Sequence, residues 1–162
     1  MINEVARIVE TACAQPSNSF GYGIWAHHII PVVQHGRDLA PLFNADPEII
    51  ELAALLHDYA GIKDAALAPQ HHVHGPIEAE RILHDLGYPA ATIDAVKHCI
   101  ATHRASIPST NRSAEAICLA NADAMAHIQH VPSLLHLVFV QWQMSIDEGT
   151  LWVRQKLERT WN

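Results

Sequence analysis

Basic residues are scarce in this chain. Over 162 residues, 10 Lys and Arg stand against 17 Asp and Glu, a formal net charge of −7. A surface that coats duplex nucleic acid needs a clustered basic face to neutralise phosphates, so nucleic acid is not an expected partner. Cysteine is scarcer still. Cys13, Cys99 and Cys118 are odd in number, widely spaced and set among apolar residues, which excludes a disulfide framework or a zinc-ribbon spacing and suits buried thiols in a reducing compartment. Long apolar runs are missing. The most apolar stretch, 131–146, is broken by Ser133, His136, Gln141 and Gln143, short of the roughly 20 residues a membrane span needs. Glu4, Arg7 and Glu10 interrupt the segment where a secretory signal would be apolar. A cytoplasmic protein with no membrane association is expected.

Strand alternation is also hard to find, whereas helical spacing with start and stop signals recurs throughout, so the expected class is all-α with about eight helices. At 49% hydrophobic and 17% charged, residues 1–162 are expected to form a single domain. The spacing predicts helices over 3–14, 28–40, 47–59, 76–87, 89–104, 113–130, 132–148 and 151–159. Asp46 and Ser113 are N-cap candidates, Pro47 and Pro76 stand at first-turn positions, and Gly61, Gly87 and Gly149 act as stops. Residues 61–74 and 105–112 read as loops. The last 30 residues carry Leu134, Leu135, Val138, Trp142, Leu151, Trp152 and Trp161, a surface for packing on the core or for a homodimer.

What the chain has in excess is histidine, with 13 copies. Thirteen His and eight Asp would give about 0.6 His-Asp dipeptides by chance, and two occur, so facing must separate them. His84-Asp85 projects away from the stripe Ala79, Ile82, Leu83, Leu86 and reads as solvated surface. His57-Asp58 instead closes the most apolar helix, 49–56, where polar groups need partners. His28 shares an inward stripe with Val32, His35 and Leu39. His103 continues Ile93, Val96 and Ile100, and Asp123 extends Ala116, Leu119 and Ala120, with His127 one turn on. His27, His84 and His98 face outward, and His35, His127, His130 and His136 are not assigned a side. Imidazoles and carboxylates without thiolates suit a divalent ion such as Mn, Fe, Co, Ni or Zn with positions open to water, hence hydrolysis.

The order His28-x-x-x-Val32, Ala53-Ala54-Leu55-Leu56-His57-Asp58, a His-rich stretch before Gly75, Ile100-x-x-His103 and Ala122-Asp123-Ala124 resembles the HD-domain superfamily of metal-dependent phosphohydrolases over about residues 20–130. The resemblance implies a helical fold in which His28, His57, Asp58 and Asp123 hold a metal, and His71 and His103 serve a second metal or a phosphate. His72 and His74 are alternatives to His71. It implies hydrolysis of a small phosphoester or nucleotide by a metal-activated water oriented by Asp58, the catalytic residue. Lys63 and Arg104 are the expected substrate-binding cations. Departures are Pro31, Pro76 and Asn121, and the segment after Asp58 lacks the paired acids of the branch that hydrolyses guanosine tetraphosphate alarmones. Two other readings use the same framework: a dinuclear-iron HD-type oxygenase, and a non-catalytic metal- or nucleotide-binding module.

Overall fold

The computed structural model describes residues 1–104 and 111–161. Among these there is no strand, as the all-α expectation requires. Helix α1 spans Ile2–Cys13. A π-helical turn, Trp25–Ile29, runs into α2, Ile30–Phe43. The predicted start at His28 is therefore three residues late. The reason is local: Pro31 has no N–H to give to the His27 carbonyl four residues back, and the chain passes this point with the wider register in which the Ile30 N–H reaches the Trp25 carbonyl.

Helix α3 covers Pro47–Leu56, with the Asp46 carboxylate accepting from the Glu48 N–H at 2.8 Å and from the Ile49 N–H. It stops before His57 rather than at Tyr59. A short α4, Tyr59–Lys63, follows, so Gly61 lies inside a helix instead of ending one. Between them Asp58 adopts φ −102°, ψ −1°, a sparsely populated bridge conformation that separates the two axes.

The expected 61–74 loop is a correction. After α4 comes a 3-10 turn, Ala65–Gln70, and α5 then begins at His71 and runs to Asp85, with Pro76 inside it. Packing explains the earlier start. A Cβ on Gly75 would stand 2.8 Å from Ile100 Cγ2, so the bare glycine lets α5 lie directly on α6, Ala90–Thr102, and this contact carries the helix through the bond its proline cannot make. Helix α7 spans Ala114–Gln129, capped by Ser113. Most of the expected 105–112 linker, residues 105–110, lies outside the described residues.

The expected helix over 132–148 is broken. Helix α8, Val131–His136, passes through a π-turn, Leu137–Gln141, and ends; α9 then covers Ile146–Trp161. Gln143 turns the chain with φ +51°. Ser145 and Glu148 form a reciprocal cap, Ser145 Oγ accepting from the Glu148 N–H at 3.3 Å and the Glu148 carboxylate accepting from the Ser145 N–H at 3.3 Å. Gly149 does not separate helices; it is buried within α9, where a Cβ would meet the Phe139 ring at 2.5 Å.

The most extensive helix pairs are α2 on α7 and α5 on α6, with α3 central to both. One cluster that includes Val9, Val32, Leu52, Leu56, Leu83, Ile100 and Leu119 forms the main core, and α8 and α9 close a smaller one around Leu134, Val138 and Val153. No helix among the described residues is long and apolar enough to cross a membrane.

Candidate metal centre

Asn18, His28, His57 and His103 are the buried polar residues among those described, and the three histidines lie together. His28 comes from the π-turn before α2. His57 and Asp58 come from the α3–α4 junction, His71 from the start of α5, His103 from the C-terminal end of α6, and Asp123 from the middle of α7. Each lies at a helix end or beside a register change except Asp123, which projects from a continuous helix.

Local hydrogen bonds orient three of the rings in one way. His57 Nδ1–H donates to the Ala54 carbonyl at 2.8 Å, His71 Nδ1–H to Ala68 at 2.8 Å and His103 Nδ1–H to Ile100 at 2.7 Å, in each case three residues back. With Nδ1 carrying that hydrogen, each Nε2 offers its lone pair to the interior. His57 Nε2 lies 3.2 Å from His28 Nε2, and His71 Nε2 lies 3.3 Å from His103 Nε2. Asp58 joins the two pairs: Oδ2 is 3.1 Å from His28 and 3.4 Å from His57, while Oδ1 is 3.4 Å from His71.

These distances decide what the residues fit. Ligands held about 2.0–2.2 Å from one ion at right-angle to tetrahedral spacing are about 3–3.6 Å apart. Among His28, His57, Asp58 and Asp123, the His–His and His–Asp separations are 3.1–3.9 Å. Asp123 Oδ1 is buried without a well-formed hydrogen bond, although His127 Nε2 stands 3.1 Å away and His28 Nε2 3.5 Å. A buried carboxylate oxygen and several imidazole lone pairs aimed at one another are costly unless a cation satisfies them. Three overlapping donor sets are able to hold one: His28 with His57 and Asp58; His28 with Asp123 and His127; Asp58 with His71 and His103.

The electrostatics agree. Burial opposes ionisation of Asp58, but the charge of His57 and hydrogen bonds from His28 and His57 hold its carboxyl well below the usual range. Burial likewise opposes ionisation of Asp123, yet the facing His127, Lys156 and His28 keep it low. Burial also disfavours a charge on His57, but Asp58 and Asp123 outweigh it and raise that imidazole to about 9. His103, buried and facing His57, is pushed down to about 3, and His127, through burial, to about 4. A proton on His57 is therefore favoured at neutral pH.

The centre forms the floor of a cleft of about 910 Å³. Phe20, Trp142 and Trp152 line it, and so do Arg104, Lys156 and Arg159. Of the two expected substrate-binding cations, Arg104 lines the cleft and donates to the Pro69 carbonyl and to His72 at 3.2 Å each. Lys63 does not reach it. It lies in the last turn of α4 and its ammonium pairs with Glu78 of α5 at 2.8 Å. His71, not His72 or His74, joins the centre. His127, unassigned from sequence, touches Asp123 and stacks on His28 with ring centroids 4.5 Å apart. Sequence reasoning passed over Lys156 and Arg159, though Trp152, Lys156 and Arg159 at spacings of four and seven share one face of α9 and offered a signal.

No curated protein matches the chain by sequence. In structure it is similar to Bacillus subtilis YpgQ, crystallised in complex with ADP: the TM-score is 0.70 at 19% identity, over 99% of this chain and 81% of that one. The likeness is one of fold. The family model described as HD domain matches residues 25–127, from the π-turn that carries His28 to His127 beside Asp123, and the chain belongs to the HD-domain family.

Proposed function

We propose that the protein is a metal-dependent phosphohydrolase acting on a small phosphoester or nucleotide. The observation that carries this reading is the set of three Nδ1–H anchors, at His57, His71 and His103, which turn Nε2 atoms towards two half-buried carboxylates lining an open cleft. His28, His57, Asp58 and Asp123 would hold a divalent ion from among Mn, Fe, Co, Ni and Zn, and Asp58 with His71 and His103 would hold a second. Such an ion supplies a nucleophilic water at neutral pH and neutralises charge on a phosphoryl oxygen. Asp58, kept ionised by its imidazole neighbours, faces both groups with its two oxygens, which suits it to orient the attacking water. Arg104 stands at the mouth, where a guanidinium meets phosphate oxygens. The cleft has the size of a nucleotide site, and the ADP bound by structurally similar YpgQ supports a nucleotide as ligand.

The test is metal analysis of the purified protein, followed by phosphate release from a panel of nucleotides and simple phosphoesters with Mn, Co, Ni and Mg. Turnover that needs metal and is lost in Asp58→Ala is expected; a metal-loaded protein that releases no phosphate from any of them overturns the reading. The Asp58, His71 and His103 group also suits a two-iron oxygenase. Two irons per chain with a redox-dependent absorption band would favour that alternative, and a metal or nucleotide bound without turnover would favour a binding module.

A further inference from the structure

Arg7, Arg37, Lys63, Arg81, Lys97 and Arg154 each hold a carboxylate, and the first five lie outside the cleft and far along the chain from α9. Arg104 and Arg112 donate to backbone carbonyls. Lys156 and Arg159 differ. Both line the cleft, and among the described residues neither has a carboxylate within ion-pair range. The two carboxylates that share the cleft, Asp58 and Asp123, already face imidazoles, and Lys156, whose field helps hold Asp123 ionised, makes no direct ion pair with it. Lys156 is half-buried and Arg159 exposed, and cations that face a concave site without a direct ion pair are complementary to an anion that arrives with the ligand.

Beside these cations stands a rigid aromatic wall. Trp142 Nε1–H donates to the Ser19 carbonyl at 3.1 Å, which fixes the indole across the cleft edge. Trp152 packs on it edge-to-face at 5.2 Å between centroids, and Phe20 lies 6.1 Å from it on the other side. The one polar atom of Trp142 is thereby satisfied within the protein, so the surface it offers the ligand is apolar and flat. Trp152, Lys156 and Arg159 lie on one face of α9 at spacings of four and seven, so the helix presents ring and charges in a row. All of α9 lies outside the segment that the family model matches.

We propose that α9 is the element by which this protein selects its substrate: Lys156 and Arg159 take the phosphate oxygens, and the Trp142–Trp152 wall takes a flat ring carried by the same molecule. The ligand is thus a ring-bearing organic phosphate rather than an aliphatic phosphoester or inorganic phosphate. The inference rests on the reading of the cleft as a phosphate-ester site, but concerns what binds there and not which bond breaks.

The experiment measures binding directly, by tryptophan fluorescence and titration calorimetry on the full chain, both in EDTA and with Mn. Probes are AMP, ribose 5-phosphate and inorganic phosphate. AMP is expected to quench the fluorescence and to bind at least about tenfold more tightly than ribose 5-phosphate. Lys156→Met and Arg159→Met should each weaken AMP about tenfold, Lys156→Arg should stay within about threefold of wild type, and Arg154→Met on the outer face of α9 should change nothing. Circular dichroism and metal content establish that each variant is folded, with Lys156→Gln standing in for a methionine variant that is not. The proposal is overturned by wild-type affinity in both methionine variants, by ribose 5-phosphate binding as tightly as AMP, or by no AMP binding in either condition. A protein that binds AMP through Lys156 and Arg159 yet releases no phosphate sinks the phosphohydrolase reading and leaves this one standing. Phosphate release with affinity unchanged in the variants does the reverse.

Discussion

His57 Nε2 faces His28 Nε2 at 3.2 Å, while the opposite nitrogen of the His57 ring is tied to the Ala54 carbonyl at 2.8 Å. Two imidazole nitrogens at that separation share one proton or one cation. Despite burial, the Asp58 and Asp123 carboxylates raise His57 to about 9, so without metal the charged imidazole is favoured at neutral pH.

Metal uptake must therefore expel that proton. At pH 7 about one proton per chain should be released on binding the first ion, and affinity should rise about tenfold per pH unit until pH approaches 9. Titration calorimetry in two buffers of different ionisation enthalpy measures the release directly. Buffer-independent heats would show that His57 is already neutral.

Asp58→Asn keeps the shape of the side chain and removes its charge. It should lower metal content and cut phosphate release at least about 100-fold while the far-ultraviolet spectrum stays helical. Asp58 divides its two oxygens between the imidazole pairs, so a second metal equivalent should be lost together with the first. Metal analysis of the variant checks this.

Gly75→Ala adds a methyl group where Ile100 Cγ2 stands at 2.8 Å. Overpacking of this kind costs about 1–3 kcal/mol. Because the clash parts α5 from α6, it should also pull His71 from His103, weakening the second metal position more than the first. Thermal melts and metal stoichiometry of the variant give the two readouts.

Lys63→Met should leave substrate affinity unchanged, since the ammonium pairs with Glu78 on the outside. The ammonium is exposed, and the half-buried Glu78 keeps Arg81 as a second partner, so the loss should cost no more than about 1 kcal/mol. A rise in KM would place Lys63 at the site.

Stability of the metal-free protein should fall in acid. His103 and His127 are held neutral by burial, at about 3 and about 4, whereas in the unfolded chain they take up protons near 6.5. Between pH 6.5 and 4 the unfolded state therefore binds more protons, and stability drops as pH falls. His57 works in the opposite sense, but higher up: its contribution is complete below about 6.5 and is lost as pH rises through about 9. Melting temperatures from pH 4 to 9, repeated in His127→Gln, should show a shallower acid slope in the variant.

The inward histidines were legible because helical facing is a local property. At about 100° per residue, the stripes that carry His28, His103 and Asp123 follow from spacing alone, and the same rule removed His84-Asp85 from the site; in the structure both side chains are exposed, 3.9 Å apart. Pro76 misled for an equally definite reason. A proline signals a helix start when nothing else intervenes, but here the contact of Gly75 with α6 carries α5 five residues further towards the N-terminus, which places His71 rather than His72 or His74 beside His103.

The sequence by itself determined the helical class, the positions of the buried imidazoles and carboxylates, and the kind of ion they suit, since each depends on residues within a few turns of one another. Tertiary structure alone decided that Asp58 is shared between two imidazole pairs, that Lys63 faces away, and that α9 brings Trp152, Lys156 and Arg159 to the cleft beside Trp142 and Arg104. Those relations join side chains as far apart as 123 positions, as in the Trp142 hydrogen bond to Ser19. Contacts at that separation leave no periodicity in the sequence, because they are set by how whole helices pack and not by how any one of them turns.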